Sequence, residues 1–254
     1  MSTKFVLIHG TWHGGWAWQD VVRHLSHRGH IAHTPTLAGH GHGAMRAGIT
    51  HQDCVDSVIA CIRHGNLKSV VLVGHSFGGT IVQKVAEQVP DRIASLVFLD
   101  ALILEHNQRV FDVLPSDFLD SLTTKNGDAT AVASVENTGH ILPPPPWDTW
   151  RDNFIQDAPE PLARWAWEQL SPEPAQVNLD NLDLTRFYSL DVPKSFIYCR
   201  HDNAMPPGYF HPKMSSRLGA CKVLEMDGSH EVMFTRPVEL AEKILEASIE
   251  RISD

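Results

Sequence analysis

The chain has 254 residues, 43% hydrophobic and 20% charged, enough to build the core of one large domain or two small ones. No apolar run approaches the ~20 residues that cross a bilayer, which argues against a membrane-spanning protein. The net charge of −9 has the wrong sign for phosphate backbones or anionic lipid, and no local basic patch reverses it, so neither nucleic acid nor membrane is expected as a partner. One basic residue and no small-residue cleavage site precede the first apolar run, so no signal peptide is read and a cytoplasmic location is expected. Cys54, Cys61, Cys199 and Cys221 lack paired metal-type spacing; Cys54 and Cys61, seven apart on one helix face, read as buried thiols.

In chain order, residues 5–8 predict a strand, and Trp18, Val21, Val22 and Leu25 a helix ending at Gly29. Residues 31–36 predict a second strand, and Thr50 with Asp53 three positions on opens a helix carrying Val55, Val58, Ile59 and Ile62. Residues 69–73 form a continuous apolar strand, followed by a helix with Ile81, Val82, Val85, Ala86 and Val89 that Pro90 stops, then a strand over 94–99.

The rhythm then breaks for about ninety residues, far beyond an ordinary connection. This stretch carries a polyproline run at 143–146 and Trp147, Trp150, Trp165 and Trp167, and it reads as a partly helical insertion. Strand and helix resume with a strand at 194–199, a helix near 207–218, a strand at 221–226 and a last helix from Pro237. One face of that helix is marked by Val238, Ala241, Leu245, Ser248 and Ile252, with Ile244 and Ile249 beside it. The expected fold is α/β: a mostly parallel sheet flanked by helices, with core at 1–102 and 191–254 and an inserted, largely helical cap at 103–190.

In such sheets reactive groups gather beyond the carboxyl ends of the strands. There Gly74-His75-Ser76-Phe77-Gly78 joins a strand to a helix, the context that gives a G-x-S-x-G match its meaning, and Ser76 is the candidate nucleophile. The run lacks the lysine of a phosphate-binding loop. A serine hydroxyl needs a histidine to take its proton and a carboxylate to orient that histidine. His230, between the last strand and last helix, is the candidate base; Asp202 and Asp100 each end a strand and compete as the acid. Backbone N–H groups of Thr11 and Phe77 are the candidate oxyanion donors. Gly39-His40-Gly41-His42-Gly43 reads as a polar loop rather than a metal site, since no carboxylate or cysteine pattern accompanies it; no metal and no cofactor are expected.

The run His9-Gly10-Thr11-Trp12-His13-Gly14-Gly15-Trp16, the start of the chain at its first strand, the serine turn and the Asp202-to-His230 spacing resemble the α/β-hydrolase family over nearly the whole length. Within it they resemble the branch of plant methyl esterases and hydroxynitrile lyases, bacterial esterases of that type included. The resemblance implies Ser76, Asp202 and His230 as the triad and a cap over the site. The lyases carry threonine in place of Gly10 and lysine in place of Glu231, and an ionised Glu231 would repel leaving cyanide. The expected function is therefore a serine-dependent carboxylic ester hydrolase acting through an acyl-enzyme on small to medium apolar or aromatic esters, with Trp12, Trp147, Trp150 and Phe154 as candidate pocket residues. A hydroxynitrile lyase or cofactor-free oxygenase on the same fold, or a non-catalytic ligand receptor, is the alternative. The oligomeric state stays open, a homodimer included.

Overall fold

Six parallel strands make one sheet in this computed structural model, which describes residues 2–116, 118 and 141–248. They are β1 (Lys4–Ile8), β2 (Ile31–His33), β3 (Val70–His75), β4 (Ile93–Leu99), β5 (Lys194–Cys199) and β6 (Lys222–Met226), ordered β2-β1-β3-β4-β5-β6. The middle strands are apolar at successive positions because helices cover both faces. Val6, Ile8, Leu72, Leu96 and Phe98 pack against α2 (His51–His64) and α3 (Gly78–Gln88). Phe5, Leu7, Val71, Val73, Val97 and Leu99 pack on the other side against α1 (Gln19–His27) and α5 (Pro237–Ser248). Among the described residues of the inserted stretch are the helix α4 (Glu160–Gln169), several short helical turns and an antiparallel pair of two-residue strands, Ile141–Leu142 and Glu173–Pro174.

The register of the ladder sets out the site. His75 lies beside Leu99, Leu99 beside Ile197, and Cys199 beside Met226. The residues that follow these strand ends, Ser76, Asp100, Asp202 and His230, therefore emerge along one carboxyl edge of the sheet.

Several sequence expectations need correction. The second strand stops at His33 rather than reaching 36, because the chain leaves the sheet so that the Thr36 hydroxyl accepts from Gly15 N–H (3.0 Å) and Leu37 N–H donates to His9 Nε2 (3.1 Å). No continuous helix covers 207–218: the helical turns over Tyr209–Met214 break at His211 (φ −132°, ψ 123°), which Pro212 drives into the extended region. In α5 the buried face is Leu240, Ala241, Ile244 and Ala247; the stripe inferred from spacing shares Ala241 and Ile244 with it, and Leu245 packs at its margin, but Val238 is exposed. Ile249 and Ile252, and positions 117 and 119–140 of the insertion, lie outside the described residues. Cys54 is buried but Cys61 only partly so.

The start of α2 follows its sequence signature. Thr50 Oγ1 accepts from Asp53 N–H (3.2 Å) while Thr50 N–H donates to Asp53 Oδ2 (2.8 Å), a reciprocal cap. The Thr50 hydroxyl, which donates to Asp53 Oδ2 (2.6 Å), and then the Thr50 N–H hold the Asp53 carboxyl below its ordinary range. Thr50→Ala is expected to lower unfolding free energy by about 1 kcal/mol. Urea titration measures it, and an unchanged midpoint would contradict the cap's contribution.

Candidate active site

Ser76 sits at the bend between β3 and α3 with φ 53°, a left-handed conformation rare for a residue with a side chain. Three backbone bonds hold it there: Ser76 N–H donates to Leu99 (3.1 Å), and Ser76 carbonyl accepts from Gly79 and Leu102 N–H (both 3.0 Å). Two glycines make the bend possible. A Cβ on Gly74 would lie 2.6 Å from the Gly78 carbonyl oxygen, and one on Gly78 would lie 2.8 Å from the carbonyl oxygens of Ile8 and His9. Helix α3 can start directly beneath Ser76 only because both positions lack side chains.

His230 is buried, with Nδ1 2.6 Å from Asp202 Oδ2. Its ring stacks on Phe210 (centroids 5.4 Å), meets Phe154 edge-on (5.6 Å) and lies 4.6 Å from the His75 ring. Burial alone would lower its pKa, but the charge and hydrogen bond of Asp202 outweigh that. Glu231 adds to the effect, and the imidazolium persists up to about 9. His75 goes the other way: burial first, then the charge of His230, hold it well below the usual histidine value. It serves as a neutral donor, its Nε2–H reaching the His230 carbonyl (3.0 Å).

Asp100 has a different surrounding from Asp202. Both its carboxylate oxygens face Cys199 N–H (3.0 and 3.2 Å), it is fully buried, and burial followed by the charge of Asp202 pushes its pKa well above the carboxylate range. Asp100, Asp202 and His230 bring ligand atoms within 4.8 Å of one another, the only such group among the described residues. A cation there would have to displace the 2.6 Å His230–Asp202 contact.

The loop after β1 faces the bend. His9 Nδ1–H donates to the Gly10 carbonyl (2.9 Å) and His13 Nδ1–H to that of Thr11 (2.7 Å), while Trp12 takes φ 66°. With those carbonyls tied back, the Thr11 amide has no protein acceptor among the described residues, nor does the Phe77 amide. A Cβ on Gly10 would lie 3.1 Å from Ser76 Cβ and 3.0 Å from His75 Nδ1, so this loop lies directly against the bend.

Ser76, His230 and Thr11 border one cavity. Trp12 and Phe154 border it as well. Trp147 and Trp150 do not: Trp150 is buried behind Phe154, stacked on it at 5.6 Å with its N–H on the Ala163 carbonyl (3.1 Å), and Trp147 packs against Trp167 and the Arg164 guanidinium. The wall is instead largely aliphatic, with Leu102, Val110, Leu114, Leu142 and Met205, residues whose positions no local motif announces. His13 and Glu231 also border it, 3.3 Å apart. The His40 loop has a carboxylate after all, from 133 positions away: Nε2 lies 3.2 Å from Glu173 Oε2, with both side chains fully buried.

Residues 5–243 match the alpha/beta hydrolase family. The chain belongs to that family. Over 244 residues it is 29% identical to a carbendazim hydrolyzing esterase from Nocardioides, covering 95% of this chain and 98% of the other. Methylesterase 2 of Arabidopsis thaliana is 26% identical over 262 residues, covering 95% and 94% respectively. Among solved structures, an extracellular α/β-hydrolase from a Paenibacillus species, described as sharing structural and functional homology with tobacco salicylic acid binding protein 2, superposes with TM-score 0.88. It is 36% identical, and the match covers 98% of this chain and 100% of that one. The chain thus falls in the methylesterase-like branch and is an esterase-type α/β hydrolase.

The neutral state of Asp100 has a measurable consequence. Unfolded, its carboxyl ionises near 3.8; folded, it keeps its proton well above that pH. Across that window the folded chain holds the extra proton, so raising the pH weakens the fold. Asp100→Asn removes this loss, so its stability relative to wild type is expected to rise between about pH 4 and about pH 7. Urea unfolding at the two pH values measures the difference, and an equal offset at both would contradict a buried neutral acid.

Proposed function

We propose that the protein is a cofactor-independent carboxylic ester hydrolase that passes through an acyl-enzyme on Ser76. The observation that carries this reading is the shared cavity: a serine at a left-handed bend and a histidine held by a carboxylate at 2.6 Å border the same space. Ser76 Oγ attacks the ester carbonyl carbon as its proton passes to His230 Nε2, and the Thr11 and Phe77 amides receive the oxyanion. The alcohol leaves with that proton. Water, deprotonated by the same ring, then releases the acid and restores the serine hydroxyl.

Asp202 is assigned as the partner of His230, and Asp100 as a protonated neighbour that ties down β5 through Cys199. Residues 1–102 and 191–254 are assigned as core and 103–190 as cap. Small to medium esters with apolar or aromatic parts suit the aliphatic wall, with Trp12 and Phe154 supplying its aromatic surface. The lyase alternative finds less support: Gly10 has no side chain to hold a cyanohydrin hydroxyl, and the Glu231 carboxyl is held below its ordinary range, so it carries the wrong charge for cyanide. A cytoplasmic location remains part of the proposal and is tested by fractionating the source cells; the Paenibacillus relative is extracellular, and export of this chain would overturn it.

Ser76→Ala is expected to abolish hydrolysis of a p-nitrophenyl short-chain ester without changing the circular dichroism spectrum. Undiminished turnover would sink the mechanism. Asp202→Asn, which favours the wrong imidazole tautomer, should lower kcat on the order of 10⁴-fold, whereas Asp100→Asn should retain most activity.

Since the base must be neutral, kcat/KM of the free enzyme is expected to rise with pH towards a half-maximum near 9. A plateau already reached at neutral pH would contradict the environment assigned to His230.

A further inference from the structure

Apart from Ser76, His75, His230 and the Thr11 loop, the polar residues that border the cavity among the described residues are Asn178, whose amide donates to Glu173 (2.6 Å), and the neighbouring pair His13 and Glu231. Glu231 directly follows His230 and is almost wholly buried, yet its Oε2 has no hydrogen-bond partner among the described residues. His13 Nε2 faces that oxygen at 3.3 Å, an ion-pair distance without the alignment of a hydrogen bond. With Nδ1–H on the Thr11 carbonyl at 2.7 Å, Nε2 is the ring nitrogen turned towards the carboxyl. The Trp12 indole N–H is likewise buried without a partner.

Burial works against ionisation of Glu231, but His13, helped by His230, outweighs it and keeps the carboxyl below its ordinary range. A buried carboxylate with a vacant acceptor is costly, and a ligand N–H or O–H that reached it would relieve that cost. A second anion brought into this low-dielectric space would be repelled.

We propose that Glu231, braced by His13, determines specificity: it favours uncharged esters bearing an N–H or O–H donor next to the scissile carbonyl and rejects esters bearing a carboxylate there. The donor belongs close to the reacting carbon because Glu231 adjoins His230 in the chain and shares its cavity with Ser76. The inference deepens the ester-hydrolase reading and rests on it.

Four methyl esters of similar shape test it: methyl mandelate, methyl phenylacetate, methyl O-methylmandelate and the anion of monomethyl phenylmalonate. Wild-type kcat/KM is expected to favour methyl mandelate over the O-methylated ester by roughly tenfold, the scale of one charge-assisted hydrogen bond, with the malonate slowest. Ratios are taken within one protein at one pH, so the influence of Glu231 on His230 cancels. In Glu231→Leu the mandelate preference should vanish. In the isosteric Glu231→Gln, which retains an acceptor but no charge, the penalty on the malonate should shrink while part of the mandelate preference remains. Equal rates for all four esters, or ratios unchanged in folded variants, would overturn the inference while leaving the hydrolase intact.

If no ester turns over, the hydrolase reading fails, and calorimetric binding of mandelamide against phenylacetamide decides this one independently. Tighter binding of mandelamide by wild type but not by Glu231→Leu upholds the donor site. Equal binding overturns it.

Discussion

The left-handed backbone at Ser76 is the constraint on which the rest of the site depends. Three hydrogen bonds, two to β4 and the segment after it and one from Gly79 in α3, keep the bend from relaxing, and Gly74 and Gly78 let β1, β3 and α3 approach to distances a methyl group would forbid. One local geometry has three effects: it sets Ser76 at the carboxyl edge, leaves the Phe77 amide without an acceptor among the described residues and brings Gly10 against Ser76. The strain is sustained by a sheet whose apolar residues are buried on both faces.

Around that bend the protein concentrates ionisable groups in a dry interior, and their neighbours decide which are charged. Asp202 and Asp100 lie on one edge, but like charges so close cannot both ionise cheaply, and the fully buried Asp100 is the one that stays protonated. Asp202 then faces His230 as the carboxylate. Glu231 keeps its charge through the adjacent histidines, His13 above all. This leaves a proposed base that is strongly basic at rest and a wall with a charged acceptor beside it. An environment of this kind favours the positive imidazolium formed during proton transfer more than the neutral ring that must begin it.

Much of this was legible in the chain because it rests on local patterns. The strand–glycine–serine–glycine–helix run, the Thr50–Asp53 cap and the apolar strands each express a constraint contained within a few residues, and the observed elements follow them closely. What escaped was set by distant partners. Nothing near Trp147 or Trp150 tells that one indole turns towards Ala163 and the other towards Arg164, nor does the histidine loop announce a carboxylate supplied from Glu173. The misplaced Val238 in α5 has a similar origin: spacing defines the edge of an apolar stripe only loosely, and packing selects Leu240 and Ala247 beside Ala241 and Ile244. The choice between Asp100 and Asp202 was open for the same reason, since both follow a strand end, and it is the long-range contacts, Asp202 with His230 and Asp100 with Cys199 N–H, that distinguish them.

The inserted segment is tied to the catalytic loops by backbone as well as side chains, and this bears on how the cavity is kept. Ser171 N–H donates to the Trp12 carbonyl (2.9 Å), Glu231 N–H donates to the Phe154 carbonyl (3.1 Å), and Asp157 accepts from Ser229 N–H (3.3 Å) and the Thr235 hydroxyl (3.2 Å). The Gln156 side-chain amide also donates to the His201 carbonyl. The segment therefore grips the loop with the proposed oxyanion donor at one point and the loops carrying Asp202 and His230 at three others. Displacing it as a rigid lid would break these bonds together and release the loops they orient. Leu114 and Met205, on the aliphatic wall, make none of these bonds, so their side chains can shift while the loops stay in place. Glu231 on the polar side has no such freedom, because its N–H is held by the Phe154 carbonyl and its carboxyl lies 3.3 Å from His13.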